Sequence, residues 1–110
     1  MAMNEQTPYL SVVVPLYNEE GNVAELYRKI YEAVQKIGRP FEIIFVDDGS
    51  KDGTLEIAKT LSPLKLIAFR KNFGQTAAFD AGFKEAKGEI IITLDGDLQN
   101  DPADIPLLLA

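Results

Sequence analysis

The chain has 110 residues, 46% hydrophobic and 25% charged, the composition of an ordinary soluble globular domain with room for one modest core. Its 11 basic and 17 acidic residues give a net charge of -6, which argues against a nucleic-acid surface, since phosphate-backbone binding needs net or clustered positive charge. With no cysteine and no histidine, disulfides, thiolate catalysis, Cys-based zinc sites and the usual neutral-pH general base are excluded, and any chemistry must run on carboxylates, Lys, Arg, hydroxyls and backbone.

Residues 1–9 carry neither the basic region nor the apolar core of a signal peptide and are expected to form an extended or disordered tail. No apolar run approaches the ~18 residues that span a bilayer, so a cytoplasmic location is expected. Residues 10–16 (Leu-Ser-Val-Val-Val-Pro-Leu) are β-branched and apolar, a first buried strand. After the polar loop from Tyr17 to Gly21, Asn22 is placed to cap a helix, with Glu25 completing a capping box. Val23, Leu26, Tyr27, Ile30, Ala33, Val34 and Ile37 then fall on one helical stripe that Gly38 ends.

Residues 41–46 form a second strand running straight into Asp47-Asp48-Gly49-Ser50. A short helix is predicted over 54–61, with Leu55, Ala58 and Leu61 inward, and a third strand over 64–69 whose partial alternation fits an edge position. Arg70-Lys71-Asn72-Phe73-Gly74 is a basic loop, 75–86 a third helix, and Gly88 its stop. Ile90, Ile91, Ile92 and Leu94 form a continuous apolar run, which suits a fourth strand covered on both faces. It runs out into Asp95-Gly96-Asp97. Asp101-Pro102 and Asp104 open a last helix that stops on Leu-Leu-Leu-Ala, so the chain reads as the N-terminal piece of something longer.

Strands alternating with helices of these lengths imply an α/β fold: a parallel sheet with right-handed crossovers and helices on both faces. The polar segments after strands one, two and four would then share the carboxyl edge, where open α/β sheets bind ligands. Tyr17 and Glu19, Asp47 and Asp48, and Asp95 and Asp97 would converge there.

Asp95 and Asp97 fit Mg²⁺ or Mn²⁺, hard cations that prefer oxygen ligands and often bridge to phosphates, with Gln99 adding an amide oxygen. The plain alternative is a turn, for which Asp and Gly are favoured. Adjacent carboxylates such as Asp47 and Asp48 repel, and a structure keeps them for a cation or for donors, with Asp48 able to accept from a nucleobase or ribose. The alternative is that one makes an Asx-turn and the other caps the next helix. Pro15, Tyr17 and Glu19 could wall a base pocket, although strand termination, packing and solvation explain each alone. Glycine-rich phosphate loops are absent, so a metal would have to stand in for a phosphate nest.

Ser11 to Glu20, Glu42 to Thr54, Asn72-Phe-Gly-Gln-Thr-Ala-Ala and Leu94-Asp-Gly-Asp-Leu-Gln-Asn-Asp-Pro together resemble the nucleotide-binding half of a family 2 inverting glycosyltransferase. Within that family the chain is similar to the dolichol-phosphate mannosyltransferase and bacterial polyprenyl-phosphate glycosyltransferase branch. The resemblance implies a Rossmann-like sheet of the GT-A type, truncated after the fourth strand, with residues 10–110 forming the donor part. It implies a UDP- or GDP-sugar donor, a polyprenyl phosphate acceptor, Mg²⁺ or Mn²⁺, and a full-length protein at the cytoplasmic face of the membrane. Pro15, Tyr17, Glu19, Val46, Asp48, Leu94, Asp95, Gly96 and Asp97 would bind the nucleotide sugar, and Asp95, Asp97 and Gln99 the metal. No residue is nominated as a catalytic base, and the fragment is expected to be inactive alone. A sheet stopping at its fourth strand would leave apolar surface bare, so homo-oligomers are expected.

Two rival enzyme or signalling classes fit less well. An aspartyl-phosphate phosphatase would carry its Asp-x-Asp after the first strand, and a response-regulator receiver its acidic pair there also. A silent binding or assembly domain is the third alternative.

Overall fold

The computed structural model describes residues 7–95 and 102–105, with the backbone alone for Asp104. The elements are β1 (Leu10–Leu16), α1 (Val23–Gln35), β2 (Phe41–Asp47), α2 (Thr54–Ala58), β3 (Lys65–Ala68), α3 (Gln75–Glu85) and β4 (Ile90–Thr93), followed by a 3-10 turn at Pro102–Asp104. The four strands form one parallel sheet in the order β3-β2-β1-β4. The α/β expectation therefore holds, helices on both faces included.

Side chains alternate across a strand, and β1 supplies both faces. Leu10, Val12, Val14 and Leu16 pack with Ile43 and Phe45 under Val23, Leu26, Ile30 and Val34 of α1. On the opposite face Val13 packs with Ile44, Val46 and Ala78 of α3. Burying one such Leu, Ile or Val completely stabilises by about 1.5–3 kcal/mol relative to leaving it exposed. Gly82 lets α3 sit close, because a Cβ there would lie 2.3 Å from Val13 Cγ1.

The fourth strand departs from expectation. It lies at a sheet edge, with Ile92 buried but Ile91 42% exposed and Thr93 also exposed. Among the described residues α3 packs mainly on β1 and β2 and leaves that face of β4 largely open. At the other edge β3 is half-exposed, as its alternation predicts.

Two helix details also differ. Asn22 stands at the start of α1 but makes no side-chain cap; its Nδ2 instead donates to Glu19 Oε1 at 3.1 Å, turning the side chain back over the loop. The capping box with Glu25 is therefore not formed. The α-helix α2 ends at Ala58, and the bonds Thr60 N to Ile57 O and Leu61 N to Ala58 O tighten the rest of the predicted stretch into turns. Ile57, Ala58 and Leu61 meet the core, rather than Leu55.

At the amino edge of the sheet Glu42 gathers several elements. Its carboxylate accepts from Ser11 Oγ at 2.5 Å and Lys87 N at 2.7 Å and pairs with Lys65 Nζ at 2.7 Å. Gly88 N donates to Ser11 Oγ at 2.8 Å, and a Cβ on Gly88 would fall 2.6 Å from that same oxygen.

Candidate functional site

The chain steps outward from β1 to β2 to β3, then crosses back so that β4 flanks β1 on its other side. The carboxyl ends of β1, β2 and β4 therefore share one edge of the sheet, the edge at which open α/β sheets bind ligands.

The loop after β1 is stitched to the loop after β2. Asn18 sits at φ 53°, a left-handed conformation that Asn tolerates. Its N–H donates to Ser50 Oγ at 2.8 Å, while its Oδ1 accepts from Lys51 N at 2.8 Å. Glu19 N donates to Thr54 Oγ1 at 2.7 Å and Glu20 N to Asp52 Oδ2 at 3.3 Å. Tyr17, the residue just before these anchors, keeps 40% of its surface exposed.

At the end of β2 the two adjacent acids do different things. Asp47 Oδ2 accepts from Ser50 N at 3.1 Å, the predicted turn role, while its Oδ1 is buried with no hydrogen-bond partner among the described residues. Asp48, 4% exposed, takes three donors. Phe73 N reaches Oδ1 at 2.8 Å, Asn72 Nδ2 reaches Oδ2 at 3.0 Å, and Gly74 N is shared between the two oxygens at 3.3 and 3.1 Å. Asp48 therefore ties down the segment that opens α3, not α2. A charged acceptor facing backbone N–H groups at a helix start makes stronger bonds than neutral pairs do. Two glycines permit the fold-down. Gly49, at φ 71°, leaves no room for a Cβ, which would sit 2.2 Å from the Lys71 carbonyl carbon. Gly74 adopts φ 105°, ψ 159°, a region essentially reserved for glycine.

These loops and the end of β4 enclose an open cleft of about 550 Å³. Pro15, Tyr17, Glu19, Asp48 and Asp95 all line it, so five of the sequence-nominated residues are brought together. Val46 and Leu94 are core residues on opposite faces of the sheet and do not line the cleft. Gly96, Asp97 and Gln99 lie outside the described residues.

Leu16, Asn72, Gly74 and Gln75 also line the cleft and were not nominated. The signal for three of them is present as Asn-x-Gly-Gln at the start of a helix, but the bonds that fasten Asn72, Phe73 and Gly74 to Asp48 span 24 to 26 residues and no local pattern encodes them. Gln75 Nε2 donates to Asp95 Oδ1 at 3.2 Å across the cleft.

Among the described residues no three acidic side chains stand close enough to hold a metal ion. Asp95 nonetheless fits the chemistry expected of a hard-cation ligand: a half-buried carboxylate at a strand end, open to the cleft, with one oxygen committed to Gln75.

The profile of Glycosyl transferase family 2 matches residues 11–110. Among curated proteins, the undecaprenyl-phosphate 4-deoxy-4-formamido-L-arabinose transferase of Pseudomonas savastanoi pv. phaseolicola is 43% identical over 107 residues. That match covers 93% of this chain but only 32% of the relative's length. Among solved structures, TarS 1–349 of S. aureus in complex with UDP is 30% identical with a TM-score of 0.68, over 80% of this chain and 27% of that one. The mannosyltransferase PcManGT from Pyrobaculum calidifontis, in complex with GDP-Man and Mn²⁺, is 29% identical with a TM-score of 0.65, over 84% of this chain and 28% of that one.

Proposed function

The chain belongs to glycosyl transferase family 2, and from that premise we propose that it carries the donor side of an inverting sugar transfer from a nucleoside-diphosphate sugar to a polyprenyl phosphate. The observation that carries this reading is the convergence of Tyr17, Glu19, Asp48 and Asp95, from three separate strand ends, on one cleft beside the crossover. The names of the relatives support the substrate classes: undecaprenyl phosphate for the curated transferase, and UDP and GDP-Man for the two structures.

In this reading the exposed ring of Tyr17 offers a flat face to a nucleobase. Asp48 lines the same cleft, and its roughly four lone-pair sites already take four hydrogen bonds from Asn72, Phe73 and Gly74, so a base or ribose donor would reach it by displacing one branch of the shared Gly74 N–H. The start of α3 at Gly74 and Gln75, with no acidic residue in its first turn, presents its positive end on the same cleft and favours a diphosphate. Asp95, with Asp97 and Gln99, would hold Mg²⁺ or Mn²⁺. The bound cation supplies Lewis-acid stabilisation of the departing diphosphate. A phosphate acceptor is already anionic, which removes the need for a strong general base. Among the described residues no helix is long and apolar enough to cross a membrane.

The test is calorimetric titration of the chain with UDP, GDP and CDP, with and without Mn²⁺. Binding that discriminates among the bases and tightens with Mn²⁺ is expected. Equal, metal-independent affinity for all three would defeat the donor-site reading.

A further inference from the structure

Gln75 is the first residue of α3, and its side chain is the one that reaches Asp95 by hydrogen bond among the described residues. A carboxylate carries only acceptors, so the amide nitrogen of Gln75 must be the atom that faces it. The position of Gln75 is itself inherited from the end of β2. The three residues before it, Asn72, Phe73 and Gly74, are all held by the Asp48 carboxylate. A run of hydrogen bonds therefore leads from β2 through the start of α3 and across the cleft to the end of β4.

Resting on the reading of Asp95 as a cation ligand, we propose that Gln75 is a positioning residue for the metal. By engaging Oδ1 it fixes the rotation of the Asp95 carboxylate and leaves Oδ2 for a divalent cation. Partners that orient a metal ligand in this way typically govern metal affinity by about 10–100-fold. The arrangement also joins the two halves of the cleft, since the group that orients the cation ligand is anchored through the residue nominated for the nucleoside.

The test is Mn²⁺ titration of the whole chain at saturating UDP, and separately GDP, with free Mn²⁺ followed by electron paramagnetic resonance. Gln75→Ala is expected to weaken Mn²⁺ binding by about 10–100-fold, with the melting temperature unchanged. Gln75→Glu, which lacks the donor, is expected to weaken it at least as much. Wild-type Mn²⁺ affinity in Gln75→Ala, a loss that tracks a fall in melting temperature, or tighter binding in Gln75→Glu each overturns the proposal. Asp95→Asn separates the two levels. If it abolishes binding while Gln75→Ala keeps the wild-type affinity, the positioning role alone falls. If it changes nothing, or if the wild-type chain takes up no Mn²⁺, the cation reading of Asp95 falls and the positioning role with it.

Discussion

Asp47 and Asp48 are adjacent in sequence and face opposite ways, because consecutive residues at a strand end point to opposite sides. One closes a local turn; the other gathers a loop more than 20 residues away. A buried donor left without a partner costs about 1–3 kcal/mol, and since the bonds to Phe73 N and Gly74 N are only part-buried, Asp48→Ala is expected to destabilise the fold by about 1–3 kcal/mol in all. Urea unfolding of the variant measures this, and a change under 1 kcal/mol would mean the loop finds other acceptors. The sequence marked Asp48 through its charge and its place after an apolar strand. It could not say that backbone N–H groups already occupy most of the carboxylate, because those groups carry no side-chain signature. Val46 and Leu94, nominated by resemblance, show the opposite case: their apolar character was legible, and in the structure it is spent on the core.

Elements with a strong period were read nearly to the residue. β1 runs over Leu10–Leu16 as its β-branched composition predicts, and the stripe of α1 is buried along its length. Reading failed where tertiary placement decides. Nothing in Ile90 to Leu94 reveals that α3 covers β1 and β2 instead of β4, and a continuous apolar run looks the same at an edge as in a centre. The Glu42 cluster is another long-range feature, linking β1, β2, β3 and the approach to β4. Burial raises the Glu42 pKa, but hydrogen bonds from Lys65, Ser11 and Lys87 outweigh it and leave the group below its ordinary value of 4.5. A depressed folded-state value means the folded chain holds its proton less tightly than the unfolded chain. The stabilisation is complete above about pH 4.5 and is lost as pH falls through the lower folded value. Glu42→Gln is therefore expected to flatten the acid limb of a plot of urea midpoint against pH; an unchanged limb would show that other carboxylates set it.

For the molecule as a whole, the strand order was not written in the sequence, yet the convergence of strand ends followed from parallel topology alone. That is why five nominated residues met in one cleft while the edge position of β4 went unforeseen. Among the described residues β4 pairs with β1 alone, so its other edge lies open beside exposed Ile91, with Phe83 also 44% exposed on the neighbouring helix. Such an edge is a template for pairing with another chain. Concentration-dependent association is expected by sedimentation velocity, and Ile91→Lys is expected to reduce it; a strictly monomeric chain at high concentration would remove this reading. The stitched loops at the opposite side of the cleft have a different consequence. Asn18, Glu19, Glu20 and Lys51 are fixed by side chains of the facing loop, and Phe73 and Gly74 by Asp48, before any ligand arrives. A nucleoside settling there would find its wall already ordered, so little conformational entropy is left to lose on that side. Among the described residues one side-chain hydrogen bond, from Gln75 at 3.2 Å, ties Asp95 to that wall.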